Sequence, residues 1–190
     1  MVRGDLQKKG VDYKETFAPV ASLTTLRILL QLVTSEDLEL DQIDIMSAFL
    51  NGSINMLIFL MQPEGFDRGG GIYCLLKSIY RMCQAARAWY EVLNGVLEAI
   101  GFRRLMADQA VWIRWARDKL QVVVAHVDDL LIKGIKSIVD DTKAQLAKSF
   151  KIKDLGEAKV FISLKITRDR AARTISLDQA HYARSILESY

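Results

Sequence analysis

The chain has 190 residues, 51% apolar and 26% charged, with a formal net charge of +3, which suits one domain that buries roughly 70% of its unfolded surface. No apolar run has membrane-span length and no charged-then-apolar leader opens the chain, so membrane and secretory classes are not expected and a cytoplasmic location is. Two cysteines, Cys74 and Cys83, make neither a disulfide framework nor a cysteine zinc site, and His126 and His181 have no matching ligand spacing.

Leu23, Leu26, Leu30 and Val33 recur at helical spacing and predict a helix over 23–35. Leu38 to Ile45 alternates as a strand does and ends at Asp44; Met46-Ser47-Ala48-Phe49-Leu50 follows, closed by the turn pair Asn51-Gly52. Residues 57–61 and 72–76 read as short strands around Asp67-Arg68-Gly69-Gly70-Gly71, a break too short to divide domains. A strong helix is predicted over 85–100, with Trp89, Leu93, Val96, Leu97 and Ile100 on one face and Gly101 placed to cap it. Residues 110–115 and 121–132 read as a meander of three strands with Arg117-Asp118-Lys119 in its first turn. A polar amphipathic helix over 137–149 turns Ile138, Thr142 and Leu146 inward. A strand at 160–166, another near 174–177 and a final helix from Asp178 complete the pattern. The expected class is α+β, with helices packed on one face of an antiparallel sheet, in a single domain spanning 1–190.

Chemistry concentrates at His126-Val127-Asp128-Asp129-Leu130-Leu131-Ile132, where two adjacent acids interrupt an apolar run and stand at the tip of a hairpin. Adjacent carboxylates repel and desolvate poorly, so a cation is expected to neutralise them, and magnesium prefers one or two carboxylates plus substrate phosphates. On that segment alone, an acidic surface turn explains the pair equally well. Asp44, a third acid at an upstream strand end, matches the way nucleotide polymerases hold two metals for in-line phosphoryl transfer.

These blocks resemble the reverse transcriptase of copia-type retrotransposons. The likeness runs from about Val2 to the last residue, through Gly10-Val11-Asp12-Tyr13-Lys14-Glu15-Thr16-Phe17-Ala18-Pro19, Gln42-Ile43-Asp44-Ile45-Met46-Ser47-Ala48-Phe49-Leu50-Asn51-Gly52 and Gln62-Pro63-Glu64-Gly65-Phe66. It continues through Leu76-Lys77-Ser78-Ile79-Tyr80, Gln84-Ala85-Ala86-Arg87-Ala88-Trp89-Tyr90, Val127-Asp128-Asp129 and Phe150-Lys151-Ile152-Lys153-Asp154-Leu155-Gly156-Glu157-Ala158.

The resemblance implies a polymerase palm with partial fingers and an RNA-directed DNA polymerase activity. Its cofactor would be two Mg2+ ions, with Mn2+ as the substitute, held by Asp44, Asp128 and, more weakly, Asp129. By the same resemblance Phe49 packs under the incoming sugar and excludes a 2′-hydroxyl. Gln84 and Arg87 line the nucleotide pocket, Arg3 matches a basic fingers residue, and Lys153 is a general acid near the pyrophosphate. Spacing alone reads Phe49 as core, Arg87 as an exposed helix residue and Lys153 as a solvated charge. The implied partners are an RNA or DNA primer–template, deoxynucleoside triphosphates and other segments of a Pol polyprotein, within a cytoplasmic virus-like particle.

Residues 131–190 hold 12 Lys/Arg and 7 Asp/Glu, whereas the first 130 hold 14 and 16. That asymmetry suits a protein gripping phosphate on one side and metal on the other, although an ordinary surface explains it too. Departures from the family pattern include His126 for an aromatic Tyr or Phe, Arg81-Met82-Cys83 before Gln84, Met46 for a lysine, Asn55-Met56 for an acidic pair, and Ser163 for a glycine. Against the family pattern the chain also begins late and stops before a thumb, and no ribonuclease H, integrase or protease segment is expected. The alternative function is therefore a catalytically dead relic or domesticated fragment that binds nucleic acid or protein.

Overall fold

The computed structural model describes residues 2–62, 65, 69 and 71–189. Most of the Gln62–Phe66 loop and most of the Asp67–Gly71 break lie outside the described residues. The first half of the chain forms α1 (Leu23–Glu36), β1 (Glu39–Ile45), β2 (Phe59–Met61), β3 (Ile72–Cys74) and α2 (Ala85–Ala99). Then come β4 (Arg103–Arg104), β5 (Val111–Ala116), β6 (Lys119–His126), β7 (Asp129–Gly134) and α3 (Lys136–Ala147). Last are β8 (Ile152–Glu157), β9 (Val160–Phe161), β10 (Leu164–Asp169), β11 (Thr174–Asp178) and α4 (Ala180–Glu188). The protein is thus mixed α+β with antiparallel sheets. No helix among the described residues is long and apolar enough to cross a membrane.

The chain divides into two compact units, Met1–Pro19 with Ser47–Ala99, and Val20–Met46 with Ile100–Tyr190. The first holds the β2–β3 hairpin and α2, whose face of Ala85, Ala88, Trp89, Leu93 and Leu97 is buried. Asn51 ends a 3-10 turn over Ala48–Asn51, and Gly52 follows at an ordinary φ of −68°. Glycine is required there by close approach: a Cβ would sit 2.5 Å from Ser78 Oγ and 2.9 Å from the Ala88 Cβ of α2.

The second unit is built on a six-stranded antiparallel sheet in the order β4-β5-β6-β7-β1-β8. Alternation sorts its side chains onto two faces. Leu40, Val122, Val124 and Leu131 share one face and form a core with Leu26, Leu29, Leu30 and Val33 of α1 and Phe161, Leu164 and Ile166 of the small β11-β10-β9 sheet. Each such side chain taken from water contributes roughly 2 kcal/mol. The opposite face carries Asp41, Ile43, Leu130 and Gln121, and α3 packs there. Gln121 Nε2 donates to Thr142 Oγ1 at 2.7 Å, and Lys143 Nζ donates to Asp41 at 2.6 Å. Helices therefore cover both faces, which corrects the expectation of a single covered face. α1 precedes β1 and α3 follows β7, and each carries its own apolar stripe to bury.

α1 starts where Ser22 Oγ accepts from Thr25 N–H and stops where Asp37 turns left-handed at φ 48°. The predicted strand at 160–166 is two strands, β9 and β10. Ile162 and Ser163 between them both take left-handed conformations, φ 50° and 59°, which reverse the chain. β4 and β8 were not expected from the sequence.

Candidate active site

Two chain features bring the acids together. β1 ends just past Asp44, and the β6–β7 hairpin turns through Val127-Asp128 and re-enters the sheet at Asp129. In the antiparallel register Asp44 stands opposite Asp129, and Asp129 stands opposite His126. On the other side of β1, Asp44 stands opposite Lys153 of β8. Directly opposed residues share a face, with Cβ atoms roughly 5 Å apart. His126, Asp129, Asp44 and Lys153 thus form one row across four strands. Asp128 joins it through the turn, whose carbonyl accepts from Ile45 N–H at 2.9 Å. Val127 makes this tight turn at φ 60°, a conformation that strains a β-branched residue.

Among the described residues no cation is bonded to the acids of the row. Burial pushes the Asp129 carboxyl above its ordinary value, and the neighbouring Asp128 and Asp44 charges add to it. Gln42, one step inward on the same face, opposes the shift by donating Nε2–H to Asp129 Oδ1 at 3.2 Å. Among the described residues, the carboxylates of Asp44 and Asp128 accept no hydrogen bond, and Lys153 is exposed and makes no ion pair. His126 Nδ1 is buried without a hydrogen-bond partner while its ring meets Phe161 edge-on at 6.1 Å.

The donor chemistry fits a hard divalent cation: acceptor-only oxygens from adjoining strands, lacking a protein cation, in the number magnesium takes from a protein. The set is not a closed cage. Among the described residues no group of three or more His, Cys, Asp or Glu is gathered so as to hold a metal. The register thus brings Asp44 and Asp129 side by side, while a three-acid cluster is not assembled.

The other predicted residues lie in the unit of Met1–Pro19 and Ser47–Ala99. Phe49 is half-buried, its ring 4.6 Å from that of Tyr80, and its carbonyl accepts from Ser78 Oγ. Gln84 and Arg87 both line an open pocket of about 390 Å3 that also includes Tyr13, Lys14, Ser53 and Glu91. Gln84 Nε2 donates to the Asp12 carbonyl at 3.1 Å, and Arg87 Nε donates to Glu91 Oε1 at 2.6 Å. Arg3 is apart from that pocket, exposed, and bonded to Asp5 at 2.7 Å. The sequence reading missed Gln42 as the partner of Asp129, although period-2 alternation already puts it on the face of Asp44. It also missed His126 as a member of the row.

The chain matches the reverse transcriptase (RNA-dependent DNA polymerase) family over residues 1–190. It is 37% identical over 195 residues to the retrovirus-related Pol polyprotein from transposon TNT 1-94 of Nicotiana tabacum, covering 100% of this chain and 15% of that protein. It is 31% and 30% identical over 191 residues to the Pol polyproteins from transposons RE1 and RE2 of Arabidopsis thaliana, covering 98% of this chain and 13% of each relative. The chain therefore spans about 15% or less of the length of these relatives. No solved structure matches it. A family match along the whole chain, with plant transposon Pol polyproteins as relatives, makes this protein a member of the reverse transcriptase (RNA-dependent DNA polymerase) family.

Proposed function

We propose that this chain is the catalytic part of a copia-type RNA-directed DNA polymerase. In this reading Val20–Met46 with Ile100–Tyr190 is the palm, Met1–Pro19 with Ser47–Ala99 is partial fingers, and together they make one functional domain. The observation that carries it is the cross-strand row of Asp129, Asp44 and Lys153 beside Asp128. Asp44 and Asp128, with Asp129 in support, would hold Mg2+. When bound, such ions supply activation of the attacking primer hydroxyl and neutralisation of charge on the departing pyrophosphate.

The protein's own residues position and screen. Asp44 and Asp128 present free carboxylate oxygens, and Gln42 fixes the orientation of Asp129. The Lys153 ammonium, beside Asp44 and unpaired, would give its proton to the leaving pyrophosphate oxygen. Phe49 would exclude a 2′-hydroxyl, Gln84 and Arg87, which line the open pocket, would contact the incoming nucleotide, and Arg3 would add a phosphate contact. The partners are a primer–template and deoxynucleoside triphosphates.

One observation favours the alternative, an inactive relic: the orphaned His126 Nδ1, where an aromatic hydrocarbon ring would leave nothing unsatisfied. A buried unpaired group of that kind costs about 1–3 kcal/mol. Primer extension separates the two. The chain is fused to the thumb and upstream fingers of an intact relative and assayed with Mg2+. Extension that Asp128→Asn abolishes is the expected result. A folded chimera that binds primer–template yet never extends it would establish the relic.

A further inference from the structure

We infer that the β4–β5 corner of the central sheet is a second nucleic-acid contact: a stacking platform for an unpaired base, built on Trp115 and flanked by Arg103 and Arg117. The inference rests on the proposed function only in taking a polynucleotide as the partner.

Of the three tryptophans, Trp89 and Trp112 are 2% and 0% exposed, whereas Trp115 is 72% exposed. Trp115 shares its sheet face with Ile113, the cross-strand partner of Arg103. β4 has only two residues, so this edge is short and its last β5 side chains stand clear. Trp115 lines two open clefts. One, of about 570 Å3, is bounded by Gly101, Arg103, Ile113 and Arg114. The other, of about 330 Å3, lies toward Arg117, Ser137 and Asp141.

Arg114 lines both clefts and is held in place. It donates to the Ile100 carbonyl at 2.7 Å, to Gln121 Oε1 at 2.6 Å and to Thr142 Oγ1 at 2.9 Å, and stacks 4.5 Å above the Phe102 ring. The Arg103 guanidinium, by contrast, is exposed and has no hydrogen bond or ion pair among the described residues. Arg117 holds only a 3.4 Å contact to Ser137 Oγ. Arg104 and Lys119 complete five cations against the two carboxylates of Asp118 and Asp141.

An exposed indole, with the unpaired Arg103 guanidinium on its own sheet face and the loosely held Arg117 at the adjoining turn, fits an unpaired base held by its face and its flanking phosphates. A protein partner fits less well. An interface centre needs several apolar side chains, and between Arg103 and Lys119 only Trp115 and Met106 are large, apolar and exposed. Trp115 pairs with Leu120 while the acid row crosses β6 at His126. At about 3.3 Å per residue the two sites stand roughly 20 Å apart on one sheet face. The platform therefore acts on a strand segment away from the proposed chemistry.

Trp115 is its own reporter, since the other two indoles are buried. Metal-free protein is titrated with unstructured oligothymidylate and oligouridylate, reading tryptophan fluorescence and the anisotropy of labelled oligonucleotide. Quenching that weakens with added salt is the expected result. Trp115→Ala should reduce affinity at least about ten-fold, with Trp115→Phe retaining most of it. Arg103→Gln should lower the salt slope by about one. Circular dichroism and the emission of Trp89 and Trp112 confirm that the variants fold. Asp128→Asn should bind like the parent, so failure of the polymerase reading leaves this result intact. Equal quenching by polyglutamate or inorganic phosphate would reduce the site to a general anion patch and overturn the inference. Oligonucleotide binding indifferent to Trp115→Ala would overturn it as well.

Discussion

The two faces of the central sheet treat their acids in opposite ways. On the α3 face Asp41 is 3% exposed and fully answered: it accepts from Lys143 Nζ at 2.6 Å and from Lys136 Nζ at 3.2 Å. Lys143 also donates to both oxygens of Asp154, at 2.7 and 2.9 Å. Asp44, three residues along the same strand, faces the other way beside Asp129 and has no cation bonded to it. One fold thus neutralises the acids it needs for packing and leaves the other set bare. Bare, partly buried carboxylates oppose folding, so their retention points to a ligand that supplies the missing charge.

The largest effect should come from breaking the answered side. Lys143→Met strands Asp41 and Asp154, with only the exposed Lys136 left near Asp41, and should cost about 3 kcal/mol in urea unfolding. Adding Asp41→Leu should recover much of that loss, because the buried pair is then removed whole and only the half-exposed Asp154 is left without its lysine. Asp44→Asn should cost nothing comparable. Equal losses in Lys143→Met and Asp44→Asn would erase the contrast between the faces.

How much of this contrast was legible depended on the reach of each signal. Apolar periodicity located α1, α2, α3 and the three-stranded meander, and the adjacent acids marked the hairpin tip. The polar helix over 137–149 gives no sign that Lys143 is buried, because the acid it covers, Asp41, lies 102 residues away. β8 escaped notice because Lys151-Ile152-Lys153-Asp154 carries edge-strand charge rather than an apolar run, and its pairing with β1 shifts register at Gln42/Ile43. Only that register shows Lys153 beside Asp44. The division of 160–166 into β9 and β10 gave no warning either, since Ile162-Ser163 lacks the Asn or Gly that ordinarily marks such a turn.

The bare side is sharpened by supplying the charge. Mg2+ at ten times its dissociation constant should stabilise the protein by about 1.4 kcal/mol, read as a raised Tm. Asp44→Asn or Asp128→Asn should abolish the gain, while Arg103→Gln at the far corner should keep it. A Mg2+ response that survives both Asp substitutions would place the cation elsewhere and leave the acid row without a ligand.

The smallest effect is in pH, and its sign differs between the faces. Burial, with Asp128 and Asp44, raises the Asp129 carboxyl above its ordinary value near 3.8, so folding favours its protonated form. The charged form is then a liability that grows as pH rises through the ordinary carboxylate range and the raised value, and it is complete at neutral pH. Asp129→Asn should therefore raise Tm slightly at neutral pH, with a gain that vanishes in acid, where Asp129 is protonated whether folded or not. Asp154 runs the other way. Burial lifts its pKa, but the Lys143 hydrogen bond and the Gly156 N–H outweigh that and hold the carboxyl below its ordinary value. Its contribution is present above the ordinary value and lost as pH falls through the lowered one, so Asp154→Asn should lower Tm at neutral pH and converge with the parent in acid. Asp154 is half exposed, which keeps its effect small. Thermal melts of the two variants from neutral pH down to about pH 2 read both signs together. If Asp129→Asn lowers Tm at neutral pH, the carboxylate is serving as the acceptor that Gln42 requires, and the acids of this face are as structural as those of the other.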